Sequence, residues 1–256
     1  MTAAAPALRG AVGFLTRIPV GRSEAEWAAF ARAPWAFPVV GYLVGGLVAL
    51  PLLVPAPAPT LALAFPLALY AVTGITHLDG VADLGDAAVV HGDPEERRAV
   101  LKDSALGVGG TVALVAVVLG LATAALGLVE AATARNGLLT AAGIVVASEV
   151  GAKAATAALV CVDDAAHEGL GSALTEGAAS RDALPVLALA SPAAVFAWPR
   201  VLPGVAALLA ALATAGLLRR WACRRLGGVS GDVLGATNEL ARVAALHAGV
   251  IAWTRF

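Results

Sequence analysis

Three aspartates in one short segment are the clearest candidates for chemistry in this chain. Asp79, Asp83 and Asp86 lie in the sequence THLDGVADLGD, four and then three residues apart. On a helix this spacing places the three carboxylates along one stripe. Like charges so close repel one another, and Mg²⁺ is a fitting counter-charge because it prefers carboxylate oxygens and keeps waters that a phosphate can replace. The spacing predicts a Mg²⁺ site; the alternative is a solvated acidic face.

Two neighbours of these aspartates fit a reacting centre. His77 is the histidine best placed to act, either as a general base or as a phosphate contact. Gly80 would let a bulky ligand approach the backbone, because glycine has no side chain. For the remaining histidines we expect packing roles; these are His91, His167 and His247.

A second polar segment opens the longest apolar stretch. Lys102, Asp103 and Ser104 stand shortly before Gly107. Ser104 is a candidate N-cap, and a helix N-terminus rich in small residues attracts anions through its free N–H groups and dipole. Lys102 is suited to pair with a phosphate. The spacing fits an anion site and a plain cap with glycines for helix packing equally well.

A similar segment, GGVSGDVLGATNE, recurs near the C-terminus. Ser230 is placed to cap the last helix, Gly231 and Asp232 fall in its first turn, and Glu239 follows deeper in the helix. The alternative to a functional site is a glycine-rich cap in which Asp232 only stabilises the helix dipole. Four arginines precede the segment, and we expect them to anchor the membrane interface; they are Arg219, Arg220, Arg224 and Arg225.

Long apolar stretches separate these polar segments. The chain has 256 residues, of which 59% are hydrophobic and 14% charged. Soluble domains carry about a quarter charged residues, so the composition excludes a disordered chain, a nucleic-acid-binding domain and an ordinary soluble enzyme. We predict an all-α, polytopic integral membrane protein with about seven transmembrane helices. The predicted spans are residues 36–54, 61–75, 105–129, 137–161, 183–198, 201–218 and 233–253.

The distribution of basic residues predicts the orientation of these spans in the membrane. If the N-terminus is cytoplasmic, the connections on that side carry 12 Lys and Arg residues and those on the other side carry three. The positive-inside rule therefore predicts a cytoplasmic N-terminus, with the polar segments on the same side.

Two charges fall inside a span: Glu149 and Lys153 are four residues apart. They fit an ion pair that orients two helices, or a coupling site for an ion or proton. Cys161 and Cys223 have no metal-ligand spacing and are expected to be free thiols.

Five segments in this order resemble the cobalamin synthase family, the adenosylcobinamide-GDP ribazoletransferases. The resemblance is carried by FLTRIPV (14–20) with FPVVG (37–41), HLDGVADLGD (77–86), LKDSALGVGG (101–110), EGLGS (168–172) and GGVSGDVLGA (227–236). The chain departs from the family pattern at Ser148-Glu149, where members often have Ser-Arg, and at His167-Glu168, where an arginine is expected nearby.

The resemblance implies a reaction and roles for the residues. A ribose hydroxyl of α-ribazole, or of its 5′-phosphate, attacks the GDP-activated phosphate of cobinamide and displaces GMP with Mg²⁺ as cofactor. Lys102 would neutralise the phosphoryl oxygens, and Asp103 or Asp232 would complete a second metal site or accept the hydroxyl proton. The implied metal ligands are Asp79, Asp83 and Asp86. The implied catalytic residues are His77, Lys102, Asp103 and Asp232. The implied substrate contacts are Gly80, Ser104, Gly107, Ser230 and Gly231.

The resemblance also implies one catalytic domain over residues 1–256, in the lipid bilayer of the cell membrane, with its active site facing the cytoplasm. No nucleic acid partner is expected, and a homo-oligomer or an association with other corrinoid-pathway enzymes is left open. A CDP-alcohol phosphotransferase would share Mg²⁺ chemistry, but the Ala-Arg that follows its D-x-x-D-G motif is absent. An ion-coupled transporter would use Glu149 and Lys153, although no internal repeat supports it. A non-catalytic scaffold would leave the aspartate stripe unexplained.

Overall fold

A computed structural model describes residues 4–21, 23–103 and 105–256, and its regular elements are helices, as the sequence predicts. Twelve α-helices follow in chain order: α1 (Ala4–Leu15), α2 (Glu24–Ala31), α3 (Ala36–Ala49), α4 (Ala58–Thr73), α5 (Thr76–Val89), α6 (Pro94–Val100), α7 (Val108–Arg135), α8 (Leu138–Val162), α9 (Leu170–Thr175), α10 (Ala183–Ala190), α11 (Val201–Arg225) and α12 (Gly231–Arg255). Short 3₁₀ turns lie at Leu50–Leu53, Ser180–Asp182 and Ser191–Ala197.

Within the described residues, four helices are long and apolar enough to cross a membrane. They are α3 with its 3₁₀ extension, α7, α8 and α11. The pair α4 and α5 would raise the number to five, but the two helices meet at an angle of 106°. The structure therefore supports a membrane protein with four or five apolar spans by length and composition, fewer than the seven predicted.

Two of the predicted spans account for much of the difference. Residues 183–198 split into the eight-residue helix α10 and a 3₁₀ turn, so neither piece has the length of a span. Residues 233–253 do form one long helix, α12, but Glu239 and Arg242 interrupt its apolar sequence. Hydropathy alone does not show that a helix breaks within residues 183–198, nor that Glu239 and Arg242 interrupt an apolar helix without ending it.

Helix α8 is the centre of the bundle, and small residues let its neighbours approach closely. Cβ atoms added at Gly41 and Gly45 of α3 would lie 2.7 Å from the Cα of Val150 and 2.8 Å from the Cα of Val146. Such close backbone contact is typical of helix packing in membranes, where van der Waals contact drives association. Helix α8 is consequently buried on all sides, including its charged residues.

The bend between α4 and α5 positions the aspartate stripe. Gly74 connects the two helices with a φ of +77°, a conformation that favours glycine. Helix α5 then lies against α7 and α12 through two further glycines. A Cβ at Gly80 would lie 2.5 Å from the carbonyl oxygen of Asp232, and one at Gly85 would lie 2.7 Å from that of Gly109. The acidic helix therefore sits beside the N-termini of α7 and α12.

Helices α1 and α2 cover the same end of the bundle. Arg9 and Glu26 join them by an ion pair of 2.9 Å. Four aromatic rings pack in a chain with centroids 5.0 to 5.9 Å apart; they are Phe14, Trp27, Phe30 and Phe37. This aromatic cluster faces α5 and α12 across an open space.

Candidate active site

That space is a cavity of about 480 Å³ with two chemically different walls. The polar wall is formed mainly by α5, α8 and α12, and the apolar wall by the aromatic cluster and neighbouring leucines. Polar side chains on the first wall are Thr76, His77, Asp79, Thr156, Asp232 and Asn238. Apolar side chains on the second are Phe14, Leu15, Trp27, Phe37, Leu170, Leu174 and Leu234. One cavity thus offers acceptors for a cation beside a surface for a flat apolar group.

The aspartates of α5 do not all face this cavity in the same way. Asp79 lines it, and Asp83 lies one turn further along the same helix. Burial, together with the negative charges of Asp79, Asp232 and Asp86, raises the pKa of Asp83 to about 6. Helix α5 is not one of the four spanning helices, and four carboxylates gather at its acidic face. This concentration of negative charge favours binding of a cation.

Asp86, one of the three predicted metal ligands, contacts the start of α7. Its carboxylate accepts hydrogen bonds from the backbone N–H of Gly107 at 2.8 Å and of Gly110 at 2.9 Å. These amides belong to the first turn of α7, where N–H groups have no partner within the helix. A Cβ at Gly107 would collide with the Asp86 carboxylate, so the missing side chain lets this carboxylate reach the start of α7. Gly107 as a substrate contact stays a prediction. Asp86 caps α7 from another helix.

The segment between α6 and α7 contributes fewer residues to the cavity than the sequence predicts. Lys102 and Asp103 are exposed, and neither is among the described residues that line the cavity. Asp103 accepts a local hydrogen bond from the N–H of Ala105 at 3.1 Å. Ser104 lies outside the described residues. The structure therefore does not bring Lys102 and Asp103 to the cavity wall, and their catalytic roles stay predictions.

The start of α12 combines a cap with a piece of the cavity wall. The buried hydroxyl of Ser230 accepts a hydrogen bond from the N–H of Val233 at 3.3 Å and donates one to Asp232 at 3.2 Å. Ser230 is thus occupied as an N-cap and is not a cavity-lining residue. Gly231 and Asp232 do line the cavity. A Cβ at Gly171 would lie 2.9 Å from the nitrogen of Gly231, so the EGLGS segment packs directly on this helix start.

Gly80 also has a role beyond the predicted one. It borders the cavity, yet the backbone that approaches it is that of Asp232. The missing side chain is needed for contact between α5 and α12, which brings Asp79 and Asp232 to the same wall.

The charges within the bundle form one buried network. Arg242 pairs with both Glu149 and Glu239, in the second case at 2.6 Å. Lys153 lies 3.7 Å from Glu149, so the predicted pair exists, but Arg242 is the closer partner of that carboxylate. The hydroxyl of Tyr70 donates to Glu239 at 3.2 Å. Two acids and two bases buried together neutralise one another, which fits the orienting role better than an ion-coupling one.

Asn238 is the residue that the sequence interpretation missed. It lies between Lys153 and His77 and connects the buried network to the cavity. A polar side chain buried among membrane helices is a signal for such a site. Its partners Lys153 and His77 are 85 and 161 residues away in the chain, so the sequence alone could not identify them.

The carboxylates at the cavity fit a Mg²⁺ ion that is also bound by phosphate better than one bound by protein ligands alone. In the described part of the chain, no three His, Cys, Asp or Glu side chains stand together as a ready metal site. Asp79, Asp83 and Asp232 nevertheless offer carboxylate oxygens, and none of the ion pairs found among the described residues involves them. Mg²⁺ in proteins commonly uses one or two carboxylates and completes its shell with phosphate oxygens and water.

The fold and the cavity define an all-helical membrane protein with an acidic cavity beside the N-terminus of α12. A family model described as CobS, cobalamin-5-phosphate synthase, matches residues 7–250. The chain belongs to this family and is a transferase of cobalamin biosynthesis.

Individual relatives agree with this assignment. The chain is 79% identical over 253 residues to a Halorubrum lacusprofundi protein named adenosylcobinamide-GDP ribazoletransferase, covering 98% of both chains. It is 47% identical to a protein of the same name from Haloquadratum walsbyi, over 96% of this chain and 98% of the relative. A third, from Pyrobaculum aerophilum, is 32% identical over 93% of this chain and 92% of the relative. No solved structure matches.

Proposed function

We propose that the protein joins adenosylcobinamide-GDP to α-ribazole, or to its 5′-phosphate, and releases GMP in the cavity between α5 and α12. The observation that carries this proposal is the convergence of the family segments, except residues 101–110, on one cavity. Residues from the segments 14–20, 37–41, 77–86, 168–172 and 227–236 all line this one cavity, although they are far apart in sequence. The proposed reaction is a phosphoryl transfer, which depends on charge neutralisation and alignment.

Asp79 and Asp83 are the proposed Mg²⁺ ligands. When bound, Mg²⁺ would neutralise the diphosphate of the GDP-activated substrate. Asp79 lies on the cavity wall and Asp83 is held one turn away on the same helix face. Asp86 helps to position both ligands, because its two hydrogen bonds with α7 hold α5 in place. The N-terminal amides of α12 at Gly231 are placed to donate to phosphate oxygens.

Asp232 is the proposed acceptor of the hydroxyl proton. Of the two candidates that the family resemblance implies, Asp232 lines the cavity and Asp103 does not. Ser230 donates to one oxygen of Asp232, which orients the carboxylate toward the cavity. The attacking hydroxyl of the acceptor therefore has a base on the same wall as the Mg²⁺ ligands.

The apolar wall is the proposed site for the base of α-ribazole. Phe14, Trp27 and Phe37 line the same cavity as Asp79 and Asp232 and offer it an aromatic surface. Aromatic side chains bind flat bases by stacking. Guanine needs hydrogen-bond partners along its polar edge, so this wall suits a less polar base better. The acceptor would thus stand between the aromatic wall and Asp232.

We also propose that the cavity faces the cytoplasm and that the protein lies in the cell membrane. The excess of Lys and Arg in the connections on the cavity side supports this orientation. Helices α10 and α12 would insert with the spans around α8, since both pack against that buried helix. An association with other copies or with other corrinoid enzymes stays a prediction.

The purified protein in lipid nanodiscs tests the reaction. With adenosylcobinamide-GDP, α-ribazole and Mg²⁺ present, we expect equal amounts of GMP and of the joined corrinoid. Omission of α-ribazole or of Mg²⁺ should stop both products. GMP release without the joined product would show a hydrolase, and no GMP release would refute the proposal.

A further inference from the structure

We propose that Asn238, itself held by Lys153, fixes His77 as a neutral imidazole with its proton on Nε2. His77 then presents an N–H donor to the cavity and does not act as a base. The tautomer follows from the contacts alone, whereas the ligand that receives the hydrogen bond rests on the proposed function.

The first step is the orientation of the Asn238 amide. The Nζ of Lys153 lies 2.8 Å from Oδ1 of Asn238, and both residues are almost completely buried. An ammonium group has donors only, so the amide atom that faces it must be the oxygen. On the other side of the amide, Nδ2 lies 3.2 Å from Oε1 of Glu239. A carboxylate accepts hydrogen bonds, so this contact independently requires the NH₂ group there.

The second step is the protonation of His77. The same Nδ2 lies 3.0 Å from Nδ1 of His77. Because Nδ2 donates, Nδ1 must carry the lone pair. A neutral imidazole has one donor and one acceptor nitrogen, and a doubly protonated ring has no acceptor. The proton of His77 is therefore on Nε2.

The buried network beside His77 does not alter this assignment. Oε1 of Glu239 lies 3.7 Å from Nδ1, beyond hydrogen-bond distance, and the same carboxylate pairs with Arg242 at 2.6 Å. The hydrogen bond to Asn238 is therefore the contact that decides the position of the His77 proton.

The consequence concerns the chemistry of the cavity wall. His77 lines the cavity, and Nε2 is the ring nitrogen on the side away from Asn238. A neutral N–H donor there suits an acceptor such as a phosphoryl oxygen. It is unable to take the proton of an attacking hydroxyl, so the base prediction for His77 is replaced by a donor role. Asn238 and Lys153 are positioning residues that act through His77.

Nitrogen-15 NMR of the full chain in nanodiscs, with labelled histidine, reads this tautomer directly. The His77→Gln variant identifies the two signals of His77. We expect Nδ1 at the unprotonated position and Nε2 at the protonated position at neutral pH. Asn238→Asp should reverse the two, because a carboxylate accepts from Nδ1–H. A protonated Nδ1 in the unaltered protein, or an unchanged tautomer in Asn238→Asp, would overturn the inference.

Kinetics give a second readout. Asn238→Asp should lower kcat for GMP release about tenfold, as expected for one lost hydrogen bond to a charged group, with a smaller change in KM. The matched control is Thr237→Ser on the same helix, whose hydroxyl donates to the carbonyl of Val233. This control should keep the wild-type tautomer and rate.

If Asn238→Asp does not fold, Asn238→Leu replaces it. Without the amide, Nδ1 of His77 loses the donor that faces it, and we expect a mixture of both His77 tautomers. A single unchanged tautomer in that variant would refute the role of Asn238. Absence of GMP release from the unaltered protein would refute the proposed function and leave the tautomer result standing. The opposite tautomer in a fully active protein would refute this inference alone.

Discussion

The carboxylate of Asp86 and the backbone amide of Gly107 form a 2.8 Å hydrogen bond across 21 residues of sequence. With a second bond to Gly110, it fastens the acidic helix α5 to the first turn of α7. Loss of a helix cap costs about 1–2 kcal/mol. We therefore expect Asp86→Ala to lower the melting temperature in nanodiscs while the Mg²⁺ concentration for half-maximal activity changes little. A large shift in the Mg²⁺ requirement without loss of stability would identify Asp86 as a ligand instead.

Asp83→Asn should lower activity without lowering stability, in contrast to Asp86→Ala. Removing a proposed Mg²⁺ ligand should reduce GMP release about 100-fold, and added Mg²⁺ should not restore it. Stability should be unchanged or slightly higher, because the variant relieves repulsion with Asp79 and Asp232. The control is Glu130→Gln on an exposed part of α7. Normal activity of Asp83→Asn throughout a Mg²⁺ titration would exclude Asp83 from the metal site.

Gly80→Ala tests the contact between α5 and α12. The new Cβ would lie 2.5 Å from the carbonyl oxygen of Asp232, so one of the two helices must move. We expect loss of most GMP release together with a lower melting temperature. Gly46→Ala is a matched control, since a Cβ at that exposed glycine would meet nothing within 4 Å. Equal behaviour of the two variants would argue against the close helix contact.

Trp27 tests the aromatic wall. Base stacking on an aromatic side chain contributes about 1–3 kcal/mol. Trp27→Ala should therefore raise the KM for α-ribazole about tenfold, with little change in the KM for adenosylcobinamide-GDP. Trp27→Phe, which retains a ring, should recover most of the affinity. If only the KM for the GDP substrate rises, the wall binds guanine.

The two cysteines test the orientation in the membrane. Cys223 is exposed near the end of α11, and Cys161 is buried, so the latter is a built-in negative control. A membrane-impermeant maleimide should label Cys223 in inverted vesicles and leave it unlabelled in intact cells. Labelling in intact cells would place this end of the bundle outside.

Local patterns predicted the helical class, the membrane character and the cavity segments, because hydropathy and motif spacing are properties of neighbouring residues. The pair Glu149 and Lys153 could be predicted for the same reason. The roles of Asp86 and Asn238 could not be predicted, since their partners lie on other helices. Nor could the break after α10, where a continuous apolar run turns into a 3₁₀ segment. Long-range packing decided each of these features.

Helix α12 is synthesised after α1, α2 and α5, yet it supplies Asp232 and Asn238 to the cavity that these helices also line. A nascent chain that stops after α11 has the aspartates of α5 but neither the proposed base nor the amide that orients His77. Under the proposed function, catalytic competence therefore requires that α12 has been synthesised and has packed against α5. Unfinished chains are expected to be inert toward the activated corrinoid during biogenesis.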